Sequence, residues 1–167
     1  MSRGREQVLA MYGQALPRVY GYLLPRCGDT ALAEDLTAET FLAAVTAADQ
    51  PDPPEVSVAW LVGVARHKLV DHWRRADREQ RALAARAPGD AAVDDPWDAV
   101  VDASVAYAAL ARLPGQQRAA LTLRYLDDLP VAEVAAHLGR TLHATETLLV
   151  RARAALRRVY QGERDDG

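Results

Sequence analysis

The clearest local pattern in the chain lies at residues 129–160, which read LPVAEVAAHLGRTLHATETLLVRARAALRRVY. The leucine–proline pair at its start is typical of a helix beginning, and Gly139 is typical of a helix end. The apolar residues that follow recur at helical spacing from Leu142 to about Tyr160. A short helix, a glycine turn and a longer basic helix together predict a helix-turn-helix.

The second helix of this motif divides into two faces. The residues that step by three and four form the expected packed face: Leu142, Thr145, Leu149, Ala152 and Leu156. The opposite face is expected to enter a DNA major groove, and it consists of His143, Glu146, Thr147, Val150 and Arg151. Further along, Arg153, Arg157 and Arg158 suit contacts to phosphates. The alternative is an ordinary helical hairpin whose arginines are solvated and complement the helix dipole.

Two more helices are predicted directly upstream of the motif, at residues 101–113 and from Pro114 to about Tyr125. In the first of these, the expected buried residues are Val105, Ala109 and Leu110. Residues 87–98 contain four aspartates and no helical stripe. We interpret this segment as an acidic linker between two domains.

The N-terminal half predicts three helices, over residues 5–24, about 30–47, and from a Ser57 cap to about residue 86. Pro17 lies inside the first pattern and predicts a kink or break near residue 16. The expected inward residues are Val8, Leu9, Tyr12, Leu16, Val19, Tyr20 and Leu23, then Leu32, Leu36, Thr40, Phe41, Ala44 and Val45, then Trp60, Leu61, Val64, Ala65, Leu69 and Trp73. Three helices with a shared apolar face predict a compact all-α domain.

Composition limits the class of protein. The chain has 167 residues, with 33 alanines, 19 arginines, one lysine and one phenylalanine, which favours helices over sheets. No apolar run approaches the length of a membrane span and no secretory signal is evident, so we expect a cytoplasmic protein without membrane insertion. The single cysteine, Cys27, excludes an internal disulfide. Net charge is −3, but acid is concentrated in the middle while basic stretches lie at 66–75 and 140–158.

Two further surfaces have more than one interpretation. The acidic face Glu34, Asp35 and Glu39 is either a solvated helix face or a protein-docking face. The third helix places tryptophans beside basic residues and histidines, which is typical of single-stranded nucleic-acid binding, although the tryptophan spacing also fits a core position. The four histidines show no metal-ligand spacing, and common enzyme motifs are absent. We therefore expect no catalytic residue, no metal and no cofactor.

Taken together, these segments resemble an extracytoplasmic-function (ECF) sigma factor of bacterial RNA polymerase. The residues that carry the resemblance are 18–23 (RVYGYL), 33–41 (AEDLTAETF), 60–67 (WLVGVARH), 113–125 (LPGQQRAALTLRY), 129–135 (LPVAEVA) and 151–156 (RARAAL). Each segment is a weak signal alone, but their order and spacing match the family over nearly the whole chain.

The resemblance implies an all-α protein of two small domains, with sigma domain 2 at residues 1–86 as a three-to-four-helix bundle. An acidic linker at 87–100 would lead to sigma domain 4 at 101–167, a four-helix domain with the helix-turn-helix. The implied contacts to core polymerase are Glu34, Asp35, Glu39 and Phe41. The implied contacts to the −10 promoter element are Arg66, His67, Lys68, Arg74 and Arg75, and those to the −35 element are Arg140, Thr141, His143, Glu146, Thr147, Arg151 and Arg153. The implied partners are core RNA polymerase (clamp and flap), promoter DNA and a separate anti-sigma factor.

Three positions depart from the family's pattern. The family usually has asparagine where this chain has His67, and often has lysine or arginine where Glu146 and Leu148 stand. A glutamate accepts a hydrogen bond from cytosine N4, so Glu146 is expected to read a cytosine rather than hold a phosphate. The remaining alternative is a stand-alone helix-turn-helix regulator with an N-terminal sensor or dimerisation domain.

Overall fold

The computed structural model describes residues 3–83 and 103–165, and every secondary-structure element in those ranges is helical. The elements are α1 (Arg3–Cys27), α2 (Thr30–Ala48), α3 (Val58–Leu83), α4 (Ala103–Ala111), α5 (Gly115–Leu121), a π-helical segment (Thr122–Leu126), α6 (Val131–Leu138) and α7 (Leu142–Asp165). This confirms the predicted all-α class. The predicted acidic linker at 87–100 lies outside the described residues.

The chain divides into two compact units, one ending at Leu69 and the other beginning at Val70. The division falls within α3, so the N-terminal half of this helix belongs to the first unit and its C-terminal half to the second. Among the described helices, none combines the length and apolarity needed to cross a membrane.

Local sequence signals determine where the helices of the first unit begin and end. Gly28 ends α1 in the left-handed conformation, with φ of 67°. The Asp29 carboxylate then accepts hydrogen bonds from the backbone of Ala31 (2.9 Å) and Leu32 (3.4 Å), which caps α2. The Ser57 hydroxyl accepts one from Trp60 N at 3.1 Å and caps α3. The cap predicted at Ser57 is therefore confirmed, and Asp29 is the residue that caps α2.

In the first unit α1 packs along α2, and both helices contribute residues to one core. Val19, Leu23, Leu36 and Ala44 are all buried there. At one end of the pair, the Arg5 guanidinium Nε donates to both carboxylate oxygens of Asp49, at 3.0 and 2.9 Å. This hydrogen bond and the negative charge of Asp49 raise the pKa of Arg5.

The first helix differs from its predicted form in two respects. It runs through Pro17 to Cys27 without interruption, so, of the kink or break predicted near residue 16, the break is not present. Pro17 has no N–H, so the carbonyl of Gly13 lacks its helical hydrogen-bond donor. Both residues are exposed, and water can donate to that carbonyl instead. In addition, Leu9 and Tyr12 are exposed rather than buried.

In the second unit, helices α4 to α7 enclose a core that includes Leu110, Leu121, Val134, Leu138 and Leu156. Gly139 ends α6 with φ of 63° and ψ of 36°, the left-handed conformation that glycine adopts without strain. The predicted helix-turn-helix is therefore formed by α6 and α7.

The predicted packing of the second unit needs three corrections. Val105 is exposed, and its neighbour Ala106 takes the buried position on α4. Leu142 is 51% exposed because it begins α7, one turn before the first buried residue of that helix, Thr145. Leu148, which lies outside the predicted packed face, is buried.

Candidate protein-docking and nucleic-acid surfaces

An open apolar groove of about 890 Å³ lies between α1 and α2 in the first unit. Its most exposed apolar side chains are Leu42 (66%) and Leu9 (60%). Tyr12, 44% exposed, packs edge-on against the buried Phe41 ring, with 4.8 Å between centroids and 62° between planes. An exposed apolar patch of this kind is typical of a surface that binds another protein.

The structure brings the predicted docking residues to this groove or beside it. Phe41 forms part of its lining from α2, and Glu34 also lines it. Asp35 and Glu39 are exposed on the same helix. Glu39 and Lys68 line a second, shallower depression together with Leu42. The groove therefore has acidic side chains next to an apolar lining.

Sequence reasoning missed the apolar part of this surface. Helical spacing identified Leu9 and Tyr12 as apolar residues of α1, but spacing alone does not say which apolar positions the chain itself covers. Leu42 follows Phe41 directly, so it lies about 100° around the helix from it. The sequence feature that indicates this apolar surface is the presence of apolar residues on more than one side of both α1 and α2.

The N-terminal half of α3 presents basic residues near an aromatic ring of α1. The guanidinium carbon of Arg26 lies 3.9 Å from the centroid of the Tyr22 ring, and that of Arg66 lies 5.9 Å from the same centroid. Arg26 also donates to the Tyr22 carbonyl oxygen at 2.8 Å. His67, next to Arg66, is exposed. Its side chain is therefore accessible to a ligand on this part of α3.

Within the second unit, the C-terminal half of α3 packs against α5. Trp73 is buried, and the Arg118 guanidinium of α5 lies 4.7 Å from its ring centroid. A Cβ atom on Gly115 would lie 2.1 Å from the Trp73 carbonyl oxygen, so only glycine fits this contact. The Arg74 guanidinium lies 3.6 Å from where a Cβ of Gly139 would be, whereas Arg75 is exposed. Of the five residues predicted to bind −10 DNA, His67 and Arg75 are therefore exposed, whereas Arg66, Lys68 and Arg74 are half-buried.

The first turn of α7 is held by the Thr141 side chain. Its hydroxyl accepts a hydrogen bond from Ala144 N at 3.1 Å, and its carbonyl oxygen accepts one from the buried Thr145 hydroxyl at 2.8 Å. Beyond this cap, the residues predicted to face DNA are all exposed: His143, Glu146, Thr147, Val150 and Arg151. The structure therefore brings the predicted reading residues onto one open helix face.

Arg153 is placed differently from these residues. It is half-buried, and its Nη1 donates a hydrogen bond to the Tyr125 hydroxyl of the π-helical segment at 2.8 Å. The hydrogen bond ties α7 to the segment that follows α5. The structure does not place Arg153 on the exposed face that carries Arg151.

Both halves of the chain match models of known families. Residues 11–79 match Sigma-70 region 2, and residues 105–156 match Sigma-70 region 4. The chain resembles the solved structure of the sigma factor RpoE in complex with the anti-sigma factor NepR from Bartonella quintana. That match has a TM-score of 0.56 and 20% identity, and covers 93% of this chain and 98% of that one. It supports a shared fold.

Among curated proteins, the chain is similar to several RNA polymerase sigma factors. It is 35% identical to ECF sigma factor SigF of Caulobacter vibrioides, over 93% of this chain and 89% of that protein. It is 33% identical to SigM of Bacillus subtilis, over 90% and 93%. It is 36% identical to BldN of Streptomyces coelicolor, over 89% of this chain but only 58% of BldN. The chain therefore belongs to the family of ECF RNA polymerase sigma factors.

Proposed function

We propose that this chain is a promoter-specificity subunit that binds core RNA polymerase through its first unit and promoter DNA through α3 and α7. The observation that carries the proposal is that one chain has two unlike exposed surfaces. One is an apolar groove with acidic neighbours in the first unit, and the other is an open helix-turn-helix face in the second. A stand-alone DNA-binding regulator needs only the second of them.

The first unit would dock on a basic, partly apolar surface of the polymerase clamp. Asp35 and Glu39 are exposed, so they would orient the encounter through their charges. The apolar lining next to them, including Phe41, Tyr12 and Leu42, would supply the contact area that is removed from water. Such a division between charged rim and apolar centre is common in protein–protein interfaces.

DNA recognition would be divided between two helices. On α3, exposed His67 would receive an extruded base of the −10 element, while Arg75 would contact flanking phosphates. On α7, residues near the N-terminal end of the exposed face, His143, Glu146 and Thr147, would reach base edges of the −35 element. Arg151, about one turn further along, would hold a phosphate.

We also infer that the chain acts in the cytoplasm, as a binding subunit rather than an enzyme. The sigma factor RpoE of similar fold is in complex with an anti-sigma factor, NepR. A separate anti-sigma protein is accordingly the expected regulator of this chain. The apolar groove of the first unit is open, so such a regulator would have a surface to cover.

Transcription in vitro tests the proposal. Purified core polymerase is incubated with a fragment library of bacterial genomic DNA, with and without this chain, and the 5′ ends of the transcripts are sequenced. We expect new 5′ ends preceded by a shared pair of sequence elements only when the chain is present. If the chain adds no new 5′ ends and does not co-purify with core polymerase, the proposal is wrong.

A further inference from the structure

A polar cleft of about 320 Å³ lies in the second unit, where the start of α5 faces the first half of α7. Its polar lining consists of Gln116, Gln117, Arg140, Thr147 and Arg151. Three of these residues belong to the predicted −35 surface, but the two glutamines do not. The cleft therefore extends that surface to α5.

The glutamines carry an unusual feature for buried groups. Gln116 is only 9% exposed, and the Oε1 atoms of Gln116 and Gln117 are buried without a hydrogen-bond partner among the described residues. A buried amide oxygen without a donor is costly, and most such groups in folded proteins have one. These two acceptors therefore lack a donor in this conformation of the protein.

Suitable donors line the same cleft. Arg140 is half-buried and Arg151 is exposed, and a guanidinium carries five N–H donors in a planar fork. One edge of that fork is able to donate to an amide oxygen while the other edge donates to an oxyanion. A phosphodiester offers only acceptors and a negative charge. It would therefore pair with the arginines and leave their remaining N–H groups for the glutamines.

We propose that this cleft binds one DNA backbone phosphate and that Gln116 is a positioning residue for the arginine that contacts this phosphate. When DNA lies on the exposed face of α7, a phosphate enters the cleft mouth between Arg140 and Arg151. The arginine that binds it also donates to Gln116 Oε1, which fixes the orientation of the guanidinium. This inference rests on the proposed binding of DNA by α7, and it adds a residue on α5 that does not contact DNA itself.

The test variant is Gln116→Met, which keeps the length of the side chain and removes the amide. The probe is a DNA duplex carrying the upstream element found in the transcription experiment, titrated with the full chain at several salt concentrations. The salt slope is the steepness with which the logarithm of the affinity falls as the logarithm of the salt concentration rises. Losing one phosphate contact lowers this slope by about 0.9. The ratio of the affinity at 50 mM salt to that at 200 mM salt therefore falls about 3.5-fold. The expected loss is uniform across DNA sequences. The thermal midpoint of unfolding is expected to stay unchanged or rise, because an unpaired buried acceptor is removed.

Four further variants make the test specific. Gln161→Met changes an exposed glutamine near the other end of α7 and is expected to leave affinity and slope unchanged. Gln116→Glu keeps the shape of the side chain and adds a negative charge at the phosphate-binding cleft. It is therefore expected to weaken DNA binding more than Gln116→Met does. In combination with Arg151→Ala or Arg140→Ala, Gln116→Met is expected to add nothing to the effect of the arginine through which it acts.

Two outcomes would overturn the inference. One is a Gln116→Met chain with the wild-type salt slope. The other is a loss of affinity that is fully additive with both arginine substitutions and accompanied by a lowered thermal midpoint, which indicates a merely structural role. Either result leaves the proposed function intact as long as Arg151→Ala still lowers the slope. A wild-type chain with no salt-dependent affinity for DNA would instead contradict the proposed function itself.

Discussion

The apolar groove of the first unit and the exposed face of α7 in the second unit differ in the kind of side chain that they expose to solvent. In the groove, α1 and α2 leave leucine and tyrosine side chains open, while the carboxylates lie beside them. On α7 the leucines after the first turn, Leu148, Leu149 and Leu156, are buried, and the exposed positions carry mainly polar or charged side chains. Apolar surface gains free energy when a protein covers it, whereas phosphates and base edges require polar contacts. The difference indicates one surface for a protein partner and one for nucleic acid.

The largest expected effect concerns the floor of the groove. Phe41→Ala removes a buried ring that packs against Tyr12, and we expect it to lower the free energy of unfolding by about 3–5 kcal/mol. Leu42→Ala, at the exposed neighbouring position, should change that free energy by no more than about 0.5 kcal/mol. Chemical denaturation of both variants measures the difference. Equal losses would mean that the groove is covered in solution, and the comparison between the two surfaces would fail.

The second prediction compares glycines in the two units. Gly115→Ala would place a Cβ 2.1 Å from the Trp73 carbonyl oxygen, so α5 or α3 must shift. Such overpacking typically costs about 1–3 kcal/mol. Gly21→Ala on α1 is the matched control, because beyond its chain neighbours and the adjacent backbone of its own helix no atom of the described residues lies within 4 Å of the added Cβ. Alanine favours a helix over glycine, so we expect that control to gain up to about 1 kcal/mol. A stabilising Gly115→Ala would show that the contact with α3 is not held in solution.

Much of this architecture follows from local sequence. Asp29, Ser57 and Gly139 act on backbone groups within a few residues, and their positions set the predicted helix ends correctly. The π-helical segment and the groove were not predicted. The groove depends on which apolar residues of α1 and α2 remain uncovered, and periodicity identifies apolar positions without identifying what covers them.

Contacts between residues distant in sequence account for other differences. Arg153 and Tyr125 are 28 positions apart, and no local pattern pairs them. The sequence alone does not show that Arg151 and Arg158 are exposed while Arg153 is half-buried and bonded to the π-helical segment. The buried Gln116 belongs to the same class, because its surroundings come from α7 and from the turn before it.

The third prediction tests the acidic side of the groove. Asp35→Arg should weaken binding to core polymerase about tenfold, which corresponds to about 1.4 kcal/mol, because a repulsive charge replaces an attractive one. The fold should be unaffected, since Asp35 is exposed. Asp52→Arg makes the same charge change in the turn between α2 and α3, outside the groove, and serves as control. Fluorescence titration of labelled chain with core enzyme gives both affinities. If Asp35→Arg and Asp52→Arg bind core polymerase equally tightly, Asp35 is not part of the docking surface.

The smallest effect separates two arginines that are two positions apart on α7. Arg151 is exposed on the reading face, so Arg151→Ala should lower the salt slope of DNA binding by about 0.9 and weaken all sequences alike. Arg153 donates to Tyr125, so Arg153→Ala should instead lower the free energy of unfolding by about 1 kcal/mol and leave the slope unchanged. Tyr125→Phe removes the same hydrogen bond from the other side and should reproduce the stability loss of Arg153→Ala. Salt-dependent anisotropy titrations and thermal unfolding of the three variants are the required measurements. If Arg153→Ala lowers the salt slope and keeps wild-type stability, Arg153 is a phosphate-binding residue. The exposed face of α7 would then extend further around the helix than its burial pattern indicates.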